Sequence, residues 1–171
     1  MNRHYDLIWA TMGEGGLILA LSAIGWATGQ PLIFASLGPT AYELVEQPHM
    51  RSARAYNVVV GHFIGLGAGF LAVWILNAWS APNVLTAGVV TAPRLWAITL
   101  AATLTTVLTL LFKAGQPAAL ATTLLVSLGG MQTRKSALAI ILGVVIVTAI
   151  GEPLRRLRMR RQTQTQGEMR R

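Results

Sequence analysis

The sequence has no cysteine and few charged residues. Without cysteine, a small disulfide-stabilised scaffold is excluded. Charged residues make up 12% of the chain, against roughly 25% in a soluble domain, and none occurs between Ala55 and Pro93. A soluble or disordered chain needs more polar side chains than this to remain in water. With a mean hydropathy of +0.54, the composition predicts an all-α polytopic membrane protein.

The sequence also has no recognised catalytic signature. It contains no HExxH, no GxSxG and no P-loop motif. His4, His49 and His62 are too scattered along the chain to predict a shared metal site. We therefore expect neither an enzyme, nor a bound metal, nor a cofactor.

Six apolar stretches are present, four long and two short. A helix needs about 20 residues to cross the hydrocarbon core of a bilayer, and a helix of 15 residues reaches only about 22 Å. The short stretches both begin with proline, which suits the first turn of a helix. The predicted long spans are Ile8–Thr28, Asn57–Trp79, Leu95–Phe112 and Ser136–Ile150, the last extending towards Leu154, and the predicted short helices are Pro31–Val45 and Pro117–Met131.

An internal repeat links the two short stretches. Gly29-Gln30-Pro31 recurs as Gly115-Gln116-Pro117, and Ala35-Ser36 aligns with Ala121-Thr122 at the same offset. Both triplets follow a long apolar stretch and precede a short one. The pattern predicts two copies of long helix, short helix and long helix, at about 8–79 and 94–154.

The charge distribution predicts the topology. Residues 80–93 carry no charge, so this connection is expected outside. The 47–56 loop contains Arg51 and Arg54, so it is expected in the cytoplasm. If both short helices cross, the six crossings invert one copy relative to the other, which is a transporter or channel architecture. In the alternative, a short helix re-enters on the same side. Both termini of the multi-pass protein would lie on the cytoplasmic side of the inner (plasma) membrane.

The net charge of +8 comes mainly from the end of the chain. The distribution predicts a single transmembrane domain, 1–154, followed by a basic cytoplasmic tail, 155–171, that contacts anionic lipid headgroups. No aromatic residue is interleaved with the arginines, so a nucleic-acid partner is not expected. The tail arginines are Arg155, Arg156, Arg158, Arg160, Arg161, Arg170 and Arg171.

The short helices are candidate anion sites. The first turn of a helix has unpaired N–H groups and the positive end of the helix dipole, which together favour an anion. Inverted copies could bring the helix starts near Pro31 and Pro117 towards one central region; in the alternative interpretation these prolines only mark loop ends. The neutral donors nearby are Gln30, Ser36, Thr40, Gln116, Thr122 and Thr123.

The second long stretch has glycines at four-residue spacing, Gly61, Gly65 and Gly69. They either let another helix pack closely or leave space for a pore. His62 lies beside them and is a candidate anion donor or proton carrier, or else a neutral histidine bonded to a carbonyl oxygen. Glu14, in the first span, is a candidate proton-coupling partner of His62.

Two further carboxylates end the first short helix. Glu43 and Glu46 are expected to form an interfacial ion-pair cluster with Arg51 and Arg54.

Several of these residues form a pattern that resembles the HPP family of integral membrane proteins. The pattern is Ala35-Ser36-Leu37-Gly38-Pro39-Thr40-Ala41, then Gln47-Pro48, then Asn57 with Gly61-His62. The His-Pro-Pro triplet that names the family reads Gly115-Gln116-Pro117 here. The resemblance implies a membrane transporter, and nitrite transport is attributed to one branch of the family. It also adds Gly38 and Asn57 to the candidate substrate-binding residues.

The leading hypothesis is a transporter or channel for a small inorganic anion, with nitrite as the specific candidate. The partners would be the anion and the lipid bilayer, and a homo-oligomer is a candidate state. Two alternatives stay open: a structural or assembly subunit of a membrane complex, and a proton-coupled carrier of a small organic solute that uses Glu14 and His62.

Overall fold

The computed structural model describes residues 3–168, with side chains for residues 6–164, and all regular structure in this part is helical. A single 3₁₀ turn, Ala78–Ser80, interrupts the longest connection. The helices are α1 (Arg3–Thr28), α2 (Leu37–Glu46), α3 (Ala55–Ile75), α4 (Val84–Ala87), α5 (Ala92–Leu111), α6 (Pro117–Ser127) and α7 (Arg134–Glu168).

The predicted pattern of four long and two short helices is confirmed. By length and composition, α1, α3, α5 and α7 can each cross a membrane, and α6 is a shorter apolar helix. Helix α6 begins at Pro117, as predicted. The fold is therefore that of an all-α polytopic membrane protein.

The start of the first short helix was predicted wrongly. Helix α2 begins at Leu37, not near Pro31, because the chain first runs through an extended connection. Leu32 and Phe34 are buried in this connection, whereas Ile33 between them is exposed. That alternation is typical of an extended chain and not of a helix. Only α6, of the two short helices, starts at its proline.

Polar contacts join six helix termini at one end of the bundle, which we call the arginine-rich end. The Arg158 guanidinium on α7 lies 3.4 Å from Asp6 on α1 and 3.6 Å from Glu46 at the end of α2. Asn57, near the start of α3, donates to the carbonyl oxygen of Lys113, between α5 and α6. Helix α1 therefore begins at the end of the bundle where the basic part of α7 lies.

The basic segment does not separate from the last span at residue 154. Helix α7 continues without a break to Glu168. Arg155 binds both carboxylate oxygens of Glu152, at 2.7 and 2.9 Å, and donates to the carbonyl oxygen of Pro48. These bonds satisfy a buried guanidinium and fix the segment to the loop after α2. Arg170 and Arg171 lie outside the described residues.

The helix pairings are symmetrical. Helix α1 packs on α2 and α7, and α5 packs on α6 and α3. Helix α2 also packs on α7, while α6 packs on α3. The pairings α2–α6 and α3–α7 complete the set. Exchanging α1 with α5, α2 with α6 and α3 with α7 leaves all these pairings unchanged.

The two halves of the interior differ in chemistry. The half built from α1, α2 and α7 has large aliphatic side chains, including Leu17, Leu21, Leu44 and Val144. The half built from α3, α5 and α6 packs instead through glycine, alanine and threonine. Small side chains let these helices approach closely. This second half holds most of the buried polar groups.

Candidate functional site

A cluster of polar side chains is buried between α2, α3, α5 and α6, and we call it the polar core. In a bundle surrounded by hydrocarbon, such groups are costly unless they are paired or functional. The polar core consists of Ser36, Thr40, Asn57, His62, Thr105, Thr109, Gln116, Thr122 and Thr123, each less than a tenth exposed.

At its centre, Ser36 meets Thr122. Their hydroxyl oxygens lie 2.8 Å apart, and both residues are fully buried. Ser36 is the residue just before α2, whereas Thr122 lies in the middle of α6. The start of α2 therefore lies only about 7.5 Å along α6 from Pro117, at five residues of 1.5 Å each. The starts of α2 and α6 both lie at the polar core, although α2 begins at Leu37 and not at Pro31.

His62 makes two contacts in this arrangement. Its Nδ1 lies 2.8 Å from the carbonyl oxygen of Val58, which can only accept, so Nδ1 carries a hydrogen. Its Nε2 lies 3.3 Å from the hydroxyl of Thr40, whose single hydrogen is donated either to Nε2 or to the carbonyl oxygen of Ser36 at 2.8 Å. With Nε2 protonated, the imidazolium would donate to Thr40 instead. Thr40 can thus serve either protonation state of His62.

Threonines on α5 and α6 continue the polar core towards the arginine-rich end. Thr123 donates to the carbonyl oxygen of Ala119, so the contact of 2.8 Å between Thr105 and Thr123 has Thr105 as its donor. One turn along α5, Thr109 donates to the carbonyl oxygen of Thr105. The sequence predictions included Thr123 but missed Thr105 and Thr109.

The glycines of α3 serve close packing. A Cβ atom on Gly61 would come within 2.8 Å of the Cβ of Gln116, and one on Gly69 within 2.9 Å of the Cβ of Val126. At Gly65 the obstacle is the backbone carbonyl oxygen of Ala119. The space that these glycines leave is filled by α6, so it is not an open pore.

Gln116, at the start of α6, is the least satisfied member of the polar core. It is 4% exposed, neither amide atom makes a hydrogen bond of regular geometry, and its side chain lies within reach of the carboxyl group of Glu43. The neighbouring backbone is fixed, because Asn57 donates to the carbonyl oxygens of Lys113 and Gly115. Gln116 thus places an amide next to a carboxyl group at the buried start of α6.

A small cavity lies at the arginine-rich end, beside the connection that precedes α6. Its volume is about 270 Å³, and two cationic side chains contribute to its wall. Asn57 and Thr109 connect the cavity to the polar core. Its lining consists of Arg51, Asn57, Thr109, Leu110, Lys113 and Gly115.

Three predicted site residues lie outside the polar core. Gln30 is exposed in the connection after α1, and Gly38 is partly exposed with open space beside it. Glu14 lines a groove between α1 and α2 together with Asp6 and Glu46. In residues 6–164 no hydrogen bond or ion pair joins Glu14 to His62, so the predicted pair is not formed.

The expected ion-pair cluster at the end of α2 was also wrong. Glu46 pairs with Arg158 from the far end of the chain, not with Arg51 or Arg54. Glu43 is 9% exposed and lies beside the polar core. A turn of helix separates the environments of these two carboxylates, which residue spacing alone did not reveal.

Arg94 was not singled out by sequence, yet its side chain is almost fully buried. It donates to the carbonyl oxygens of Ala81, Pro82 and Ser127 and to the side-chain oxygen of Gln132, at 2.8–3.2 Å. These bonds join the connection before α5 to the connection after α6. Arg94 therefore has a structural role at the end of the bundle opposite the polar cavity.

The comparison with known families decides the relationship suggested by the residues around His62. The family model described as the HPP transmembrane region matches residues 1–164. The chain belongs to the HPP family. No curated protein and no solved structure matches the chain. Within this HPP protein, Gly115-Gln116-Pro117 places a buried amide at the start of α6.

Proposed function

We propose that this HPP protein is a membrane transporter or channel for a small inorganic anion, with nitrite as the specific candidate. One observation carries the proposal: the buried amide of Gln116 lies at the start of a helix, directly after Gly115, which lines a cavity together with Arg51 and Lys113. The amide N–H and the helix start both favour negative charge. The cations at the mouth would raise the local concentration of anions.

The helix pairing supports a transporter architecture. Two copies of three helices that exchange their partners fit the inverted repeats common among secondary transporters, in which the substrate lies between the copies. The contact between Ser36 and Thr122 lies at such a boundary. In this proposal the arginine-rich end is cytoplasmic, as the positive-inside rule predicts.

Reconstitution tests the proposal directly. Purified protein in liposomes is expected to carry nitrite faster than empty vesicles, with nitrate, formate and chloride as competing anions. Replacing Gln116 by leucine keeps the volume but removes the donor. It is expected to lower nitrite flux at least about tenfold, because a hydrogen bond to a charged group contributes roughly 1.5–3 kcal/mol.

Gln30→Leu is the matched control, since Gln30 has the same neighbours in sequence but is exposed. It is expected to transport like the wild type. Folded wild-type protein with no anion flux above empty vesicles would contradict the proposed function. Equal losses in the two variants would contradict the assigned site.

A groove of about 960 Å³ favours the second candidate, an assembly subunit of a membrane complex. It runs between α1 and α2, is open on one side, and is lined partly by Asp6, Glu14 and Glu46. A basic partner helix would complement these carboxylates. This candidate predicts a stable complex after purification in mild detergent, and no flux from the isolated chain.

A further inference from the structure

Glu43 is a carboxyl group at the edge of the polar core that is not neutralised by an ion pair. It lies on α2, three residues after Thr40, and is 9% exposed. Its neighbours are the side chains of Ser52 and Gln116. Its Oε2 atom has no regular hydrogen bond, and neither does the amide of Gln116. The carboxyl group of Glu43 and the amide of Gln116 thus lie within reach of each other at the edge of the polar core, and a proton on the carboxyl changes which amide atom is free for another partner.

The charged groups on the surrounding helices have other partners. Helix α6 carries no charged residue, and the imidazole of His62 on α3 is held by Val58 and Thr40. No cation within residues 6–164 forms an ion pair with Glu43. Asp6 and Glu152 are paired to arginines. Among residues 6–164, the titratable and charged groups besides Glu43 on α2 and the elements next to it are Asp6 and Glu14 on α1, Tyr42 and Glu46 on α2, His49, Arg51 and Arg54 in the following loop, Tyr56 and His62 on α3, and Arg134, Lys135, Glu152, Arg155, Arg156, Arg158, Arg160 and Arg161 on α7.

We propose that Glu43 is the proton-binding carboxyl that couples anion passage to proton movement. This inference rests on the proposed function. An ionised Glu43 beside Gln116 repels an anion. A hydronium ion at the arginine-rich end gives its proton to a lone pair of Oε2, which forms the neutral acid and leaves a water molecule. The acid O–H then donates to Oε1 of Gln116, and Nε2 of Gln116 is left to donate to the anion.

The reverse step releases the anion. Loss of the proton to water restores the carboxylate, which again repels negative charge next to Gln116. Anion occupancy and protonation of Glu43 therefore favour each other, and one anion and one proton move together. Glu14, which the sequence suggested for this role, lies in a different groove with Asp6 and Glu46.

The test uses full-length protein in liposomes with a pH gradient and nitrite. Lowering the pH at the arginine-rich side is expected to increase nitrite flux in the wild type, after subtraction of the flux of nitrous acid through empty vesicles. Glu43→Gln resembles the protonated form and is expected to transport without this pH dependence. Glu14→Gln, the matched control on α1, is expected to keep it.

A second readout does not depend on transport. The infrared C=O stretching band of a protonated carboxyl is expected to titrate in purified wild-type protein. The band is expected to be lost in Glu43→Gln and retained in Glu14→Gln. An unchanged band in Glu43→Gln overturns the inference, whereas a lost band without nitrite flux in the wild type overturns only the proposed function.

Two further outcomes also test the role of Glu43 in proton coupling. Unaltered pH dependence in Glu43→Gln, or its loss in His62→Gln alone, overturns the inference. If Glu43→Gln fails to fold, Glu43→Asp keeps the carboxyl and is expected to retain the pH dependence with a shifted midpoint. An unshifted midpoint in Glu43→Asp contradicts the role of Glu43.

Discussion

The hydroxyl oxygens of Ser36 and Thr122 lie 2.8 Å apart although 86 positions separate the residues. The same offset separates Gly29-Gln30-Pro31 from Gly115-Gln116-Pro117. If a two-fold axis relates two copies, equivalent residues of the copies contact each other only where this axis passes between them. A pair with this offset in direct contact is the geometry expected if the axis runs through the polar core.

This hydrogen bond provides the first prediction. Thr122→Val is expected to lower the free energy of unfolding by about 1–3 kcal/mol, because the buried hydroxyl of Ser36 loses its partner. Thermal unfolding in detergent measures the change. Ser36→Ala is expected to cost a similar amount, and the double variant less than the sum of the two. Strict additivity would show that the two hydroxyls do not interact, and Thr103→Val, at an exposed position of α5, serves as the control.

The second prediction concerns the packing of α3 on α6. Gly65→Ala is expected to destabilise the protein by about 1–3 kcal/mol, because its Cβ would collide with the backbone carbonyl oxygen of Ala119. Gly67→Ala has open space and gains up to about 1 kcal/mol of helix propensity. Thermal unfolding of both variants separates packing from propensity. A tolerated Gly65→Ala would rule out the close contact.

Arg94 provides the third prediction. Arg94→Gln is expected to lower the free energy of unfolding by about 3 kcal/mol. Several buried carbonyl oxygens lose their donor in this variant, and each loss costs roughly 1–3 kcal/mol. Gly129 leaves the guanidinium its space: a Cβ there would lie 2.7 Å from Nη2 of Arg94. Thermal unfolding in detergent is again the measurement.

Arg134→Gln is the control for Arg94. Arg134 is exposed at the start of α7, and its replacement is expected to change the unfolding free energy by less than about 0.5 kcal/mol. Equal effects of the two substitutions would contradict the structural role of Arg94.

The fourth prediction concerns the cationic mouth of the cavity. Lys113→Gln is expected to reduce nitrite flux roughly tenfold at low ionic strength, because the side chain lines the cavity and attracts anions. The loss should shrink as salt is added, since the screening length falls to about 10 Å at 0.1 M. Arg54→Gln, at an exposed position outside the cavity lining, should have little effect. A salt-independent loss would indicate damage to the fold.

Local sequence was sufficient for the helices whose signals are local. Long apolar runs predicted the four long spans, and Pro117 marked the start of α6 because its ring fits a first turn. Local sequence did not predict the conformation after Pro31. There the chain stays extended as far as Ser36, with Leu32 and Phe34 both buried on one side of it. Apolar composition alone does not distinguish the two conformations over so few residues.

The site depended on contacts between distant residues. Gln30 and Gln116 share the same local triplet, yet one is exposed and the other buried. Gln116 packs against Gly61, and the position equivalent to Gly61 in the second copy is Val147. Thr99 and Thr103 have the same spacing on α5 as Thr105 and Thr109, but only the second pair is buried.

By itself, the sequence determined the membrane class, the helix pattern and the relation of the two triplets, because hydropathy, proline and repetition are properties of neighbouring residues. Only the tertiary structure decided which polar side chains meet. Burial of Gln116, Glu43 and Arg94 depends on helices far apart in the chain, and no local pattern encodes which face of each helix those neighbours cover.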